Sequence, residues 1–270
     1  MTKRLSFTFV LICLFLTTCF IQKAWEADTR EVLRYSCSDQ ILFAFERERL
    51  IGFCDENNID INLNVASSRA VLDYVFKGFS DIASTTSELT PAQIEAGGIA
   101  TPFCRDSMAI ITNGDCPVKD ISIGQLINIF GGQISNWKET GGPDMPMVVV
   151  TPLRETGAYG FFKKTVMKNK PIKCDMVAFR SWMIVEMIKN SFPWAISFIT
   201  HGALDQHKDS GIKTLSIDGI EPTHPDYPYM QTFYFVTKGT PKGMAKEFMD
   251  FVTSEKGREI IIKRGMTPIP

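Results

Sequence analysis

The 270-residue sequence lacks the short motifs that position a catalytic nucleophile, a nucleotide phosphate or a catalytic zinc ion. It contains no G-x-S-x-G turn, no P-loop, no G-x-G-x-x-G and no H-E-x-x-H. Its only three histidines, His201, His207 and His224, lie in polar sequence that is typical of loops. Because no nucleophile can be paired with a base, we expect no catalytic residue and a protein that is not an enzyme.

Metal-binding clusters and the cysteine spacing of a disulfide scaffold are also missing. Beyond residue 22 the cysteines are Cys37, Cys54, Cys104, Cys116 and Cys174, and no two of them form a C-x-x-C pair. This spacing excludes the common zinc motifs, so we expect no metal and no cofactor. The spacing agrees with buried thiols and also with one or two disulfides. Because the count of five is odd, at least one cysteine would be left unpaired.

The sequence has little excess of either charge. Its formal net charge is −1, and it is −3 without residues 1–18, in which Lys3 and Arg4 are the only charged side chains. This balance argues against nucleic acid or an acidic membrane as the main partner. There is also no internal repeat and no proline-rich linker that would divide the chain into consecutive domains.

Residues 1–22 have the features of an export signal rather than of a folded domain. Two basic residues precede an apolar run from Leu5 to about Ile21, which is slightly short for a membrane-spanning helix. The stretch from Leu16 to Cys19 resembles a bacterial lipoprotein box with an unusual threonine before the cysteine. We expect a protein of the periplasm or cell envelope. Lipidation at Cys19, cleavage further on and an uncleaved anchor remain open.

From residue 31 onward, short apolar runs alternate with amphipathic segments, which is the pattern of an α/β fold. The predicted strands are Glu31–Ser36, Ile59–Val65, one beginning at Asp81, Ile99–Phe103, Met108–Thr112, Met147–Val150, Trp194–Phe198 and Phe233–Thr237. The predicted helices are one from Asp39 to about Phe53 with Ile41, Phe45 and Leu50 inward, Val71–Phe76, Ile123–Phe130, Gly157–Met167, one opening at Pro241, and one from Ser254 toward Gly265.

Several predicted strand ends are followed by small or hydroxyl side chains. They are Ser36-Cys37-Ser38-Asp39, Ala66-Ser67-Ser68-Arg69, Ser84-Thr85-Thr86-Ser87 and Arg154-Glu155-Thr156-Gly157. Helix N-termini carry free N–H groups and partial positive charge, and in open α/β sheets they meet at one cleft. Helix capping alone explains any one of these stretches. Four such stretches occur in this chain, and Arg154 can bind an oxyanion through two hydrogen bonds. An oxyanion site therefore explains the pattern as well as helix capping does.

Three stretches have the character of one known family: LINIFGGQISNWKETGGPDMPMVVV followed by RETG, then NSFPWAISFI, and then SIDGIEPTHPDYPYMQTFYFVTKGTPKGMAKEFMDFVTSEKGREII. In them, and in order over about residues 31–269, the chain resembles the phosphate-binding proteins of bacterial phosphate ABC transporters, within the periplasmic solute-binding superfamily. The resemblance implies two α/β lobes joined by two crossing segments, with a ligand clamped in the cleft between them.

The resemblance also implies where the lobes begin and end. Lobe 1 would comprise residues 31–103 and 233–270, and lobe 2 would comprise residues 107–229. The chain would cross between them near Phe103–Ser107 and Tyr229–Phe233. The implied partners are inorganic phosphate or a similar oxyanion and an ABC permease or membrane sensor, and we expect a monomer.

Two site residues match the family pattern directly. Ser68 falls on the phosphate-binding serine after the second strand, and Arg154 falls on the phosphate-binding arginine. Gly157 fits the turn that follows this arginine. The resemblance therefore implies that an oxyanion approaches Arg154.

Elsewhere the chain departs from the family pattern. Ser38-Asp39-Gln40 replaces Ser-Thr-Phe, and Thr86 replaces the aspartate that accepts the proton of hydrogen phosphate. Ala158-Tyr159-Gly160 replaces Ser-Gly-Thr, and Arg69 replaces a glycine. Asp39 would then have to accept the ligand proton from across the cleft. Loss of two hydroxyl donors should weaken binding, and Tyr159 would fill part of the cleft.

The resulting prediction is an exported solute-binding protein that takes phosphate or a related oxyanion for ABC-type uptake or sensing. The departures motivate an alternative, a divergent envelope interaction or sensory protein that kept the fold but lost anion binding. A phosphatase-like enzyme on this scaffold is a third and much weaker hypothesis, since fold does not settle function.

Overall fold

The computed structural model describes residues 31–42, 47–57, 59–205 and 207–269. The predicted export signal, Cys19 and Phe45 lie outside the described residues. Its strands are β1 (Val32–Ser38), β2 (Asp60–Ala66), β3 (Ile82–Thr85), β4 (Gly98–Asn113), β5 (Asp120–Ile121), β6 (Val148–Pro152), β7 (Met176–Ala178), β8 (Ala195–Thr200), β9 (Ile212–Ile217), β10 (Met230–Lys238) and β11 (Thr267–Pro268).

The α-helices lie between these strands or follow them. They are α1 (Asp39–Ile41), α2 (Arg47–Asn57), α3 (Ala70–Phe76), α4 (Pro91–Glu95), α5 (Ile123–Phe130), α6 (Gly157–Thr165), α7 (Ser181–Glu186), α8 (His201–Asp205), α9 (Gly243–Thr253) and α10 (Glu255–Lys263). The predicted α/β class is therefore confirmed, and most predicted elements occur within a few residues of their expected bounds.

The strands form one sheet of mixed direction in the order β2-β1-β3-β10-β4-β8-β6-β7. Strand β1 pairs in parallel with β2 and β3, and β10 lies antiparallel between β3 and β4. Strand β8 is antiparallel to β4 and parallel to β6. The carboxyl ends of β1 and β6 thus belong to different halves of the sheet, and each is followed by a helix start.

The hydrophobic side chains pack into separate cores on the two halves of the sheet, which we call lobe 1 and lobe 2. The lobe 1 core contains residues between 33 and 104 and between 233 and 266, including the stacked rings of Phe103 and Phe235 with centroids 4.1 Å apart. The cores of lobe 2 contain residues between 108 and 227, including the stacked pair Phe162 and Phe198. The two-lobed fold expected from the sequence is confirmed.

Strand β4 differs from its prediction because two expected strands are one continuous strand of 16 residues. The polar residues Arg105, Asp106 and Ser107 lie between the two predicted strands. In the structure these residues continue the ladder with β10, where Asp106 pairs with Gln231. Backbone pairing with a long neighbouring strand therefore overrides the local break in hydrophobicity.

The helix predicted to open at Pro241 begins two residues later, at Gly243. Gly239 and Gly243 have φ angles of 81° and 54°, so the backbone is left-handed on both sides of the proline. The apolar face of this helix is placed as predicted, because Phe248 and Val252 are buried in the lobe 1 core. The segment β7–α7 was not predicted, since two of the three residues of β7 are exposed.

Candidate functional site

A cavity of about 370 Å³, counting the part open to solvent, lies between the lobes. Residues from lobe 1 that line it are Ser38, Asp39, Ala66, Ser67 and Ser68, and those from lobe 2 are Pro152, Thr156, Gly157, Ala158, Ala178, Phe179, Arg180 and Ser181. Each lining segment follows the carboxyl end of a strand, namely β1, β2, β6 and β7. This is the place where open α/β sheets bind their ligands.

Ser38 contributes a buried hydroxyl at the end of β1. Its side chain is only 2% exposed, and its Oγ has no hydrogen-bond partner among the residues that the structure describes. Buried polar atoms are usually paired, because desolvating an unpaired hydroxyl is unfavourable. The Ser38 hydroxyl at the wall of the cavity is therefore available to hydrogen-bond a polar ligand.

Ser68 and Thr86 bring two further hydroxyls together at the lobe 1 side of the cleft. The Ser68 Oγ lies 3.3 Å from the Thr86 Oγ1. The loop that carries Ser68 is held in place because Thr85 Oγ1 donates to the Ser68 carbonyl at 2.8 Å. Ser68 lines the cavity. Thr86 does not line it, but its Oγ1 lies next to Ser68 and Gly157, which do.

The N-terminus of α6 enters the same cavity from lobe 2. Thr156 caps this helix by accepting from the Tyr159 backbone N–H at 3.3 Å. The N–H groups of Gly157 and Ala158 have no acceptor within the described part of the chain, as is usual in the first turn of a helix. These N–H groups and the helix dipole make the end of α6 suited to an anion.

Gly157 also sets how closely the two lobes approach. A Cβ atom at this position would lie 1.8 Å from Thr86 Oγ1 and 2.7 Å from Ser68 Oγ, both of which belong to lobe 1. Gln231, on the crossing strand β10, donates its Nε2 to the Gly157 carbonyl at 3.1 Å. The sequence prediction of Gly157 as a turn glycine is thus refined to a glycine that permits close contact across the cleft.

Asp39 and Arg180 form an ion pair across the cleft. The Arg180 Nη1 donates to Asp39 Oδ1 at 2.5 Å, and both residues line the cavity. The Asp39 side chain is 17% exposed and that of Arg180 is 50% exposed. The other guanidinium nitrogens of Arg180 have no partner among the described residues, so they remain free to donate to a ligand.

Four predicted site residues do not line the cavity, namely Arg69, Thr86, Arg154 and Tyr159. Arg69 and Arg154 are exposed. Tyr159 is buried in a lobe 2 core beside Phe198, with ring centroids 6.4 Å apart, so it does not fill the cleft as expected. Tyr159 lies three residues before Phe162, so both side chains are on the face of α6 that packs into this core.

Sequence reasoning missed Arg180 and its neighbours Phe179 and Ser181. A usable signal was present, since Ala178-Phe179-Arg180-Ser181 again places polar residues between a strand and a helix start. The strand was overlooked because the exposed Met176 and Val177 do not give the pattern of a buried strand. The capping role of Thr156 agrees with the helix-capping explanation of its stretch.

Other chemical features of the described residues are few. Among the described cysteines, Cys54, Cys116 and Cys174 are free thiols, and Cys37 and Cys104 are buried. Within the described ranges, no group of three His, Cys, Asp or Glu side chains is placed to hold a metal ion. No helix among these residues combines the length and apolar character needed to cross a membrane.

Comparison with known proteins agrees with this architecture. The family described as a PBP superfamily domain matches residues 26–256. The phosphate-binding protein PstS of Bacillus subtilis is 33% identical over 230 residues, which covers 80% of this chain and 74% of that protein. PstS of Borreliella burgdorferi is 27% identical over 227 residues, covering 79% of this chain and 81% of that protein.

Solved structures show the same fold. A substrate-binding protein of a phosphate ABC transporter from Clostridium perfringens, solved with bound phosphate, matches with a TM-score of 0.78 and 25% identity, covering 89% of this chain and all of that chain. A phosphate transport receptor from Vibrio cholerae, at 23% identity, has a TM-score of 0.69 over 88% of this chain and all of its own. The chain therefore belongs to the PBP superfamily and, within it, to the family of the phosphate-binding protein PstS.

Proposed function

We propose that this protein captures inorganic phosphate or a related tetrahedral oxyanion in the cleft between its lobes. The observation that carries the proposal is the unpaired Ser38 hydroxyl, which lines the same cavity as the free N–H groups at the start of α6. Ser68 adds a second buried hydroxyl donor. The relatives that bear the name phosphate-binding protein support the same ligand.

Hinge closure would complete the site. Lobe 1, with residues 31–103 and 233–270, and lobe 2, with residues 107–229, each carry part of it and would close on the anion. Arg154 would supply charge at the edge of the cleft, because it stands three residues before α6. Thr86, which lies against Gly157, would contact the ligand in the closed form. No catalytic residue is assigned.

The biological setting follows from the export signal and the family. The apolar run from Leu5 to about Ile21 supports export to the periplasm or cell envelope, with a lipid anchor at Cys19 as one form of it. An ABC permease or a membrane sensor would receive the bound anion, as the transporter named for the Clostridium perfringens protein suggests. The protein would act as a monomer.

Calorimetry on residues 23–270, unfolded and refolded to remove carried-over ligand, tests the proposal. We expect saturable phosphate binding that Ser38→Ala weakens by about 10-fold to 10²-fold, the value of one hydrogen bond to a charged group. The variant should fold normally, because the Ser38 Oγ has no protein partner to lose. Ser135→Ala, at an exposed position on lobe 2, is the control.

Folded protein that binds no phosphate, sulfate or molybdate would contradict the proposal. It would favour the alternative of an envelope interaction protein that kept the fold and lost the anion site.

A further inference from the structure

Gln231 is a buried residue on a strand that joins the lobes, and it contacts the first residue of α6. It lies on β10, where it pairs with Asp106 of β4 as these two strands pass between the cores. Gln231 is only 2% exposed. Its Nε2 donates to the carbonyl oxygen of Gly157 at 3.1 Å, so its amide links the crossing strand to the start of α6.

The carbonyl that Gln231 contacts belongs to the same peptide unit as the N–H of Ala158. This unit is planar and trans, so its C=O and its N–H point in opposite directions. The N–H groups in the first turn of a helix point out of its N-terminal end, and Gly157 and Ala158 both line the cavity. A donor on the Gly157 carbonyl therefore fixes the direction in which the Ala158 N–H meets a ligand.

The same hydrogen bond also makes the Ala158 N–H a stronger donor. Hydrogen bonds that share a peptide unit polarise one another, by roughly 10–30% per bond. An anion that accepts from Ala158 would end a chain of hydrogen bonds that begins at the buried amide of Gln231. The contact therefore affects the strength of anion binding as well as its geometry.

Gly157 is also contacted from the side of lobe 1. A Cβ at this position would lie 1.8 Å from Thr86 Oγ1 and 2.7 Å from Ser68 Oγ, so its backbone lies close against these two hydroxyls. The turn at the start of α6 is thus placed by lobe 1 and by the strand that joins the lobes. A turn that is held from both directions keeps its donors in one position for the anion.

We propose that Gln231 is a positioning residue for anion binding, and that by holding the Gly157 carbonyl it directs the Ala158 N–H at the bound anion. Gln231 does not line the cavity, so it acts through this peptide unit rather than by touching the ligand. This inference rests on the proposed function, because it requires that the cleft bind an oxyanion.

Calorimetric titration of the stripped protein with phosphate tests the inference. Gln231→Met keeps an unbranched side chain of similar length but has no donor, and we expect it to weaken phosphate binding by about 5-fold to 10-fold. An affinity within about 2-fold of that of the unmodified protein would overturn the inference and leave the proposed function intact. Failure of the unmodified protein to bind phosphate would overturn both.

Gln231→Glu tests the donor itself and does not depend on the folding of the methionine variant. A neutral glutamic acid keeps one O–H donor for the Gly157 carbonyl. Burial raises the pKa of a carboxyl at this joint, as it does for Asp106 opposite, so the glutamic acid is neutral at pH 5. We expect its phosphate affinity at pH 5 to lie within about 3-fold of that of the unmodified protein. A loss at pH 5 of 5-fold or more, about the value of the missing hydrogen bond, would overturn the inference.

The amide resonance of Ala158 gives a readout that lost packing alone does not move. Its shift depends on the hydrogen bond that the carbonyl of the same peptide unit accepts. In Gln231→Met we expect this resonance to shift in the free protein, and its downfield shift on addition of phosphate to become smaller. An Ala158 resonance that responds to phosphate as in the unmodified protein would overturn the inference.

A matched control separates positioning from the loss of any buried hydrogen bond on this strand. Thr237, also on β10, is 4% exposed and donates its Oγ1 to the Gly239 carbonyl at 2.8 Å, in lobe 1 and away from the cavity lining. Thr237→Val therefore removes a buried donor to a glycine carbonyl without touching α6. Its phosphate affinity should equal that of the unmodified protein, and a loss as large as that of Gln231→Met would overturn the assignment.

Discussion

Single residues at the cleft differ in burial, and their burial determines how each can act on an anion. Ser38 and Ser68 are almost completely buried, so a hydrogen bond from either hydroxyl is shielded from water and salt. Arg69 and Arg154 are exposed, and an exposed charge acts over a distance that salt shortens. The hydroxyls should therefore contribute to affinity at any ionic strength, whereas the exposed arginines should contribute mainly at low salt.

Replacing Arg154 with alanine tests this difference. We expect phosphate binding to weaken by about 10-fold at low salt, and the loss to shrink as the Debye length falls toward about 3 Å at 1 M salt. Calorimetry from low to high ionic strength measures the effect, and Lys138→Ala, an exposed cation paired with Asp144 on the same lobe, is the control. A loss that does not change with salt would mean that Arg154 is buried against the bound anion.

At the level of elements, the start of α6 carries two functions at once. Its free N–H groups face the cavity, and its first residue, Gly157, lies against the lobe 1 hydroxyls of Ser68 and Thr86. A helix end can be presented this closely to another lobe only if no side chain separates them. The anion site and the contact between lobes therefore depend on the same turn.

A pair of glycine substitutions in α6 separates these functions. In Gly157→Ala the new Cβ meets Thr86 Oγ1 at 1.8 Å, so the cleft cannot close and we expect phosphate affinity to fall by more than about 10²-fold. Gly160→Ala, where a Cβ meets nothing within 4 Å, should bind normally and be more stable by about 0.5–1 kcal/mol. Calorimetry and thermal unfolding measure both, and normal affinity in Gly157→Ala would contradict the closed-cleft geometry.

At the scale of the whole molecule, the two lobes are joined through β4 and β10, and a buried carboxyl lies where these strands pass between the cores. Asp106 is fully buried and accepts from the Gly202 backbone N–H at 3.0 Å. Burial raises the pKa of Asp106 from its ordinary value of 3.8 to about 7, against the opposing effect of the Gly202 hydrogen bond. The joint between the lobes is therefore most stable when this carboxyl is protonated.

The stability of the folded protein should respond to pH through Asp106. Its contribution is fully present below the unfolded-state pKa near 3.8 and is lost as pH rises through about 7. The free energy of unfolding should fall by up to about 1.4 kcal/mol per pH unit over this window relative to Asp106→Asn. Burial lowers the pKa of the nearby His201, an effect of opposite sign that both proteins share.

Urea unfolding of the stripped protein and of Asp106→Asn between pH 4.5 and 8 measures this difference. Asparagine keeps an oxygen that can accept from Gly202 but has no proton to lose, so it is the matched variant. Parallel stability curves for the two proteins would show that Asp106 does not titrate in this range.

Much of the fold could be read from the sequence because periodicity and capping are local. Ile123–Phe130 was predicted with its observed bounds, and Ser122 and Gln125 form the capping box that starts it. The placement of Ser38 and Ser68 at the cleft followed from their position after strands. The continuous strand β4 was not predictable in this way, because its polar middle is held by pairing with β10 and β11, both more than 100 residues later in the chain.

The sequence by itself determined the α/β class, the ends of strands that carry hydroxyls, and the family pattern that names Ser68, Arg154 and Gly157. Only the tertiary structure decided that Asp39 is bound by Arg180, since the two lie 141 residues apart and belong to different lobes. It also placed Tyr159 in a core and Arg154 at the surface. The physical reason is that a helix start is encoded within a few residues, whereas the charge of a cleft is the sum of groups that only folding brings together.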